Sequence, residues 1–218
     1  MIDLYCERLG SGIWAEPVNA ATNLAFLLAA WLAWRAAKRA RVLSVDLRVL
    51  IGLIACIAVG SGLFHTLATT WARVLDEVPI LLFQLAFVWI YCRRIIGMRP
   101  IHVAGIILAY LAAAFWARQF PHLLNGSLTY APAFSVLILL GGYHYGTARC
   151  GRTLLLWASL LFLASLGFRT ADAAVCPYFP LGTHFLWHVL NAVLLYLLMY
   201  GLTANIGNDQ SMNKGPAV

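Results

Sequence analysis

The stretch from Leu47 to Leu67 reads LRVLIGLIACIAVGSGLFHTL and holds one charged side chain, Arg48. A run of about 20 apolar residues is long enough for a helix to cross a lipid bilayer. Lipid offers the backbone no hydrogen-bond partners, and the run does not alternate as a barrel strand would, so a helix is expected. The stretch therefore predicts a membrane-spanning helix.

Six further apolar stretches have the same character. The seven predicted spans are Pro17–Ala36, Leu47–Leu67, Leu75–Tyr91, Ile101–Trp116, Thr129–Thr147, Leu154–Ala171 and Gly182–Thr203. Composition agrees, because 62% of the 218 residues are hydrophobic and 11% are charged, against roughly 25% charged residues in soluble domains. This balance excludes a soluble enzyme and leaves no room for a separate soluble domain.

The predicted fold is all-α, an integral membrane bundle of seven transmembrane helices over residues 17–203. An acidic segment (1–16) precedes it, and a polar tail (204–218), expected to be disordered, follows. The start of the chain lacks a basic region and carries Asp3 and Glu7, so we expect no cleaved signal peptide. The first apolar segment is then expected to remain in the membrane.

Basic residues set the expected orientation. The larger group of basic residues lies on one side of the predicted membrane: Arg35, Lys38, Arg39, Arg41, Arg48, Arg93, Arg94, Arg99, Arg149, Arg152 and Lys214. A smaller group lies on the other side: Arg8, Arg73, Arg118 and Arg169. The positive-inside rule places the larger group in the cytoplasm, with the N-terminus outside and the C-terminus inside. Topology thus accounts for the net charge of +7, and no nucleic acid partner is expected.

Ionisable groups at the ends of spans are informative, because each is costly in lipid unless it is paired or bound to metal. His65 and Ser61 share a helix face near the outer end of the second span, and His184 and His188 lie one turn apart at the start of the seventh. Asp76 opens the third span. Chain direction places all five groups at one depth.

Three imidazoles with a carboxylate and a hydroxyl nearby fit a catalytic zinc site, with three nitrogen ligands and an open fourth position. Asn191, on the same helix face as His188, is a candidate to contact and orient a metal ligand without binding the metal itself. Taken singly, each feature has a structural alternative: the histidine pair could serve packing, Ser61 could allow close helix approach, and Asp76 could be a solvated helix start. Because all five groups are predicted to lie at the same depth, a shared metal site is favoured over these separate structural roles.

The motifs Ser61-Gly-Leu-Phe-His65, Asp76-Glu-Val-Pro79 and His184-Phe-Leu-Trp-His188 resemble the signature of the alkaline ceramidase family. That family belongs to a superfamily of seven-span zinc hydrolases that includes the adiponectin and progestin receptors. The resemblance implies zinc held by the three histidines, and roles for Ser61 in stabilising an oxyanion and for Asp76 in proton transfer.

The resemblance also implies calcium at the acidic N-terminal segment, and the candidate ligands are Asp3, Glu7 and Glu16. The alternative is a solvated acidic segment. Leu9 stands where the family carries a polar ligand, which departs from its pattern. A disulfide between Cys6 and Cys176 is predicted both by the shared oxidising side and by the resemblance.

The predicted function is a zinc-dependent intramembrane amidohydrolase that cleaves ceramide or a related N-acyl lipid to a fatty acid and an amine. A receptor-like or lipid-binding protein with a structural zinc is the main alternative, and a metal transporter is a third. Membrane lipid is the expected partner, with no obligate protein partner. The compact chain is typical of a bacterial member, which predicts the inner membrane, with the zinc near the extracytoplasmic face.

Overall fold

The computed structural model describes residues 1–213, and for residues 210–213 only the helical backbone. Its α-helices are α1 (Pro17–Thr22), α2 (Leu24–Arg39), α3 (Val45–Leu67), α4 (Thr70–Tyr91), α5 (Pro100–Ala117), α6 (Ala131–Gly146), α7 (Leu154–Val175) and α8 (His184–Asn213). None of these 213 residues lies in a strand. Seven helical segments are long and apolar enough to cross a membrane, with α1 and α2 together forming the first. The all-α seven-span prediction is confirmed.

Packing follows chain order around the bundle. Each helix from α2 to α8 packs on the next one, and α8 closes the ring against α2. The inward faces bury one apolar core, whereas large apolar side chains such as Trp31, Leu108 and Leu139 are exposed on the outside. Exposed apolar surface on every side is what a bundle surrounded by lipid requires.

The third span begins earlier than the sequence suggests. Helix α4 begins at Thr70, so Asp76 lies in its second turn and not at its opening, and Pro79 lies inside the helix. Proline has no N–H, so the carbonyl of Leu75, four residues earlier, loses its helical hydrogen bond. The expectation that Asp76 opens the helix is therefore wrong by about a turn and a half.

A glycine brings α3 and α4 together at this point. A Cβ added to Gly60 would overlap the carbonyl of Leu75, which Pro79 leaves without its helical partner. Only glycine allows so close an approach of two helix backbones. The contact sets Ser61, the next residue in α3, beside Asp76 of α4.

The predicted disorder after Thr203 is wrong for residues 204–213, which continue α8. Asn205 gives the reason, because its Oδ1 accepts a hydrogen bond from the Cys150 amide at 3.0 Å and its Nδ2 donates to the Cys150 carbonyl at 3.1 Å. Asn205 and Ile206 are both buried. Residues 214–218 of the predicted tail lie outside the described residues.

Candidate metal centre

Three histidines meet at one end of the bundle. His65 lies in the last turn of α3, while His184 and His188 lie one turn apart at the start of α8. All three are buried, and one nitrogen from each lies within 4.8 Å of the other two. This is the one group of this kind among the residues that the structure describes. The predicted convergence of imidazoles from two distant stretches is confirmed.

The hydrogen bonding of the rings tests whether a metal fits. His65 Nδ1 lies 2.5 Å from Glu16 Oε2 and His188 Nδ1 lies 2.9 Å from Thr22 Oγ1. His65 Nε2 and His184 Nδ1, in contrast, are buried without a hydrogen-bond partner among the described residues. Buried polar atoms of this kind are costly unless something binds them. A divalent cation held by three imidazole nitrogens fits this donor set.

Glu16 and Arg8 support His65 from the N-terminal segment. The guanidinium of Arg8 forms a buried ion pair with Glu16 and also donates from Nη2 to the His65 carbonyl at 2.8 Å. Asn19 Nδ2 donates to Glu16 Oε2 at 3.1 Å. Burial alone would raise the pKa of Glu16, but hydrogen bonds from His65, Asn19 and Arg8 outweigh it and lower that pKa. A carboxylate behind a histidine fixes the ring's orientation at metal sites.

The predicted catalytic pair lies beside the histidines. Ser61 is one helical turn before His65 and buried, and its side chain hydrogen-bonds to the carboxyl of Asp76. Asp76 is half-buried and interacts electrostatically with His65. Hydroxyl, carboxylate and imidazoles therefore share one site, as their span positions predict.

Asp172 is a buried acid that the sequence analysis did not single out. Its Oδ2 accepts a hydrogen bond from the Cys6 amide at 3.0 Å, and its Oδ1 accepts from the Thr183 and His184 amides at 2.7 and 2.9 Å. Asp172 thus joins the N-terminal segment to the start of α8. An acid directly after the predicted span Leu154–Ala171 was a signal that could have identified it.

The predicted disulfide is present between Cys6 and Cys176, whose Cα atoms are 5.4 Å apart. It ties the N-terminal segment to the end of α7, next to the Asp172 contacts. Tyr5, the neighbour of Cys6, stacks on the His184 ring with centroids 3.6 Å apart. The N-terminal segment is therefore part of the wall of the metal centre.

The structure does not bring the three predicted calcium ligands together. Glu7 accepts hydrogen bonds from the Val18 and Asn19 amides, both at 2.7 Å, and so caps α1. Glu16 contacts Arg8 and His65, and Asp3 is exposed. These partners already occupy the two buried carboxylates, so this geometry gives the calcium prediction no support and calcium binding stays an untested prediction.

The hydrogen bonds of the Asn191 side-chain amide go to groups other than the histidine rings. Its Nδ2 donates to Ser165 Oγ at 2.7 Å and to the Trp187 carbonyl at 2.8 Å. Its place is in the lining of an apolar cavity, which also includes Ile57 and Ile80. Asn191 therefore links α8 to α7 below the metal centre.

The cavity runs into the bundle, and its space of about 730 Å³ includes the part that is open to the outside. Three of its lining residues lie about one helical turn inside the site: Ile57 before Ser61, Ile80 after Asp76 and Asn191 after His188. Most of the remaining lining is aliphatic or aromatic. A hydrocarbon chain would be enclosed there with its polar end at the histidines.

Comparison with known proteins agrees with this geometry. The family model described as Ceramidase matches residues 4–214, nearly the whole chain. None of the curated proteins matches the chain. Family membership implies a hydrolase that acts on the amide bond of a lipid. The chain, with its seven spans and its buried histidine cluster, belongs to the ceramidase family.

Proposed function

We propose that this protein is a zinc-dependent intramembrane amidohydrolase that cleaves ceramide or a related N-acyl lipid. The observation that carries the proposal is the Ser61–Asp76 pair beside three buried histidines, two of which have a ring nitrogen without a hydrogen-bond partner among the described residues. A structural metal would not require an acid and a hydroxyl beside it. A transporter would place acids and histidines at several depths, whereas these collect at one end of a single apolar cavity.

His65, His184 and His188 would hold the zinc. When bound, zinc supplies a Lewis acid that polarises a carbonyl and makes water a nucleophile near neutral pH. His65 is oriented for this by Glu16, and His188 by Thr22.

Asp76 acts as general base and then as general acid. It accepts a proton from the attacking water and delivers it to the leaving nitrogen as the C–N bond breaks. Ser61 donates a hydrogen bond to the oxygen that becomes negative when the amide carbonyl is attacked. Water is consumed, and the products are a fatty acid and a free amine.

The apolar cavity binds the acyl chain. Its lining by Phe26, Phe83 and Leu194, among others, excludes water from one side of the scissile amide. The hydrocarbon would be buried within the bundle, and the polar head of the lipid would remain at the outer rim of the metal centre. The substrate is therefore an N-acyl lipid and not a soluble amide.

Zinc content and fatty acid release from purified protein test the proposal. We expect about one zinc per chain and hydrolysis of at least one N-acyl lipid, with both lost in His188→Ala. His102→Ala is the matched control, because His102 is exposed on α5, and it should keep both. Wild type that binds zinc, folds and hydrolyses no N-acyl lipid would favour the lipid-binding alternative.

A further inference from the structure

Arg169 contacts residues of both the metal centre and the cavity. Its guanidinium stands over the rings of Tyr130 and Trp187, 5.3 and 5.7 Å from their centroids, and both rings line the cavity. It also hydrogen-bonds to Tyr5, the residue stacked on His184. The side chain of Tyr5 therefore lies between the positive charge of Arg169 and the ring of His184, a predicted metal ligand.

Within the part of the chain that the structure describes, no carboxylate pairs with this cation. The other three arginines at this end of the bundle each form an ion pair with a glutamate: Arg8 with Glu16, and Arg73 and Arg118 with Glu77. Among the described residues, Arg169 has no acidic oxygen within 4.0 Å, and Asp76 interacts with it only at longer range. A half-buried guanidinium without a counter-charge attracts an anion more strongly than a solvated one does.

An irregular loop holds the guanidinium in place. Leu124, Asn125 and Gly126 all have left-handed backbone, with φ of 53°, 52° and 74°. This conformation is costly for leucine in particular, and such strain persists where the surrounding structure requires it. The loop directs the Asn125 carbonyl and Ser127 Oγ to Arg169 Nη1, both at 2.9 Å.

Those contacts leave part of the guanidinium unused. Arginine has five N–H donors, and the described partners are Asn125, Ser127 and Tyr5. Two donors therefore have no partner among the described residues. A guanidinium fixed by aromatic stacking and a rigid loop binds an anionic oxygen group with little loss of side-chain entropy.

We propose that Arg169 binds an anionic group, a carboxylate or a phosphate, on the amine half of the lipid substrate. The inference rests on the proposed hydrolase function and adds to it a preference for N-acyl lipids whose amine half is acidic. The acyl half is hydrocarbon and enters the cavity, so before cleavage the amine half is where an anion can reside. After cleavage the fatty acid also carries a carboxylate, and the experiment must separate these two sources.

Two matched lipids make the test. N-oleoylglycine and N-oleoylethanolamine share the acyl chain and the amide, but the first ends in a carboxylate and the second in a neutral hydroxyl. We expect Arg169→Gln to lower kcat/KM about tenfold or more for the glycine lipid and about twofold or less for the ethanolamine lipid. Arg169→Lys keeps the charge and should recover part of the loss.

Arg118→Gln is the control for general attraction of acidic lipid. It removes one positive charge from the same end of the bundle, but Arg118 is exposed, pairs with Glu77 and does not line the cavity. Both lipids should react with it as with wild type. Equal losses for the two lipids in Arg169→Gln, or no loss for either, would overturn the proposal.

Binding measurements separate this inference from the proposed function. If wild type hydrolyses neither these lipids nor ceramide, the hydrolase fails, yet N-oleoylglycine should still bind zinc-loaded wild type about tenfold more tightly than it binds Arg169→Gln. Equal binding would contradict the anionic subsite. If Arg169→Gln weakens only inhibition by oleate, the guanidinium holds the released fatty acid, and the head-group assignment is wrong.

Discussion

Each end of the bundle buries histidine, but the two ends treat its nitrogens differently. At the end away from the metal centre, His144 Nδ1 lies 2.6 Å from the Tyr91 hydroxyl and Nε2 lies 3.0 Å from the Cys150 carbonyl. At the metal centre, His65 Nε2 and His184 Nδ1 have no partner among the described residues. A histidine with both nitrogens bonded stabilises the fold, whereas a cluster with unpaired nitrogens is arranged to bind something.

The largest contrast comes from removing one imidazole at each end. His184→Ala should reduce zinc below about a tenth of an ion per chain and hydrolysis to background, because two ligands hold zinc far less tightly than three. His144→Ala should keep about one zinc and most activity. Zinc analysis and fatty acid release on both variants measure the contrast. Loss of zinc in both variants would remove the distinction between the two ends.

The next contrast lies inside the metal centre, between ligands and catalytic groups. Asp76→Asn should lower kcat about 10²- to 10⁴-fold with zinc retained, and Ser61→Ala should lower it about 10²- to 10³-fold. Steady-state kinetics with zinc analysis on the same samples checks both. Activity within about twofold of wild type would exclude Asp76 as the proton carrier.

A smaller effect is expected from the carboxylate behind His65. Glu16→Gln should weaken zinc binding about 10- to 100-fold, because the amide cannot accept the His65 proton as a carboxylate does. Glu7→Gln is the matched control in the same segment, since Glu7 caps α1, and it should leave zinc affinity unchanged. Competition with a zinc chelator measures the affinities. Equal weakening in both variants would assign the effect to the segment as a whole.

The smallest effect concerns stability at the end away from the metal centre. His144→Phe leaves the Tyr91 hydroxyl without its partner and removes one of the two hydrogen bonds to the Cys150 carbonyl, which keeps the bond from Asn205. We expect a loss of about 1–3 kcal/mol in unfolding free energy with zinc content unchanged. Denaturation in detergent, followed by circular dichroism, gives the value. A stability equal to that of wild type would show that the two hydrogen bonds contribute nothing net.

The sequence was sufficient for the parts that depend on chain direction and helical period. Seven apolar runs predicted the bundle, and alternating direction placed His65 and His184 at the same end. The spacing from His184 to His188 placed the pair on one face. Each of these inferences needs only a regular helix and a membrane of fixed thickness.

The parts that the sequence missed depend on irregular backbone. The sequence pattern does not predict the contact of Arg8 with Glu16, because that contact depends on the path of the N-terminal segment. It also does not predict that Arg169 lies beside the cavity, because that position depends on the left-handed loop at 124–126. The acids proposed for calcium illustrate the same limit. The sequence shows how many carboxylates lie in the N-terminal segment. It does not show that backbone amides at the start of α1 already bind Glu7.

The proposed function depends on three imidazoles from α3 and α8 that together hold one zinc. X-ray absorption on zinc-loaded protein tests it most directly, because the spectrum reports ligand type and distance. We expect three imidazole nitrogens at about 2.0–2.1 Å and one oxygen at a similar distance, with the imidazole contribution diminished in His65→Ala. A spectrum dominated by sulfur or by oxygen ligands alone would contradict it.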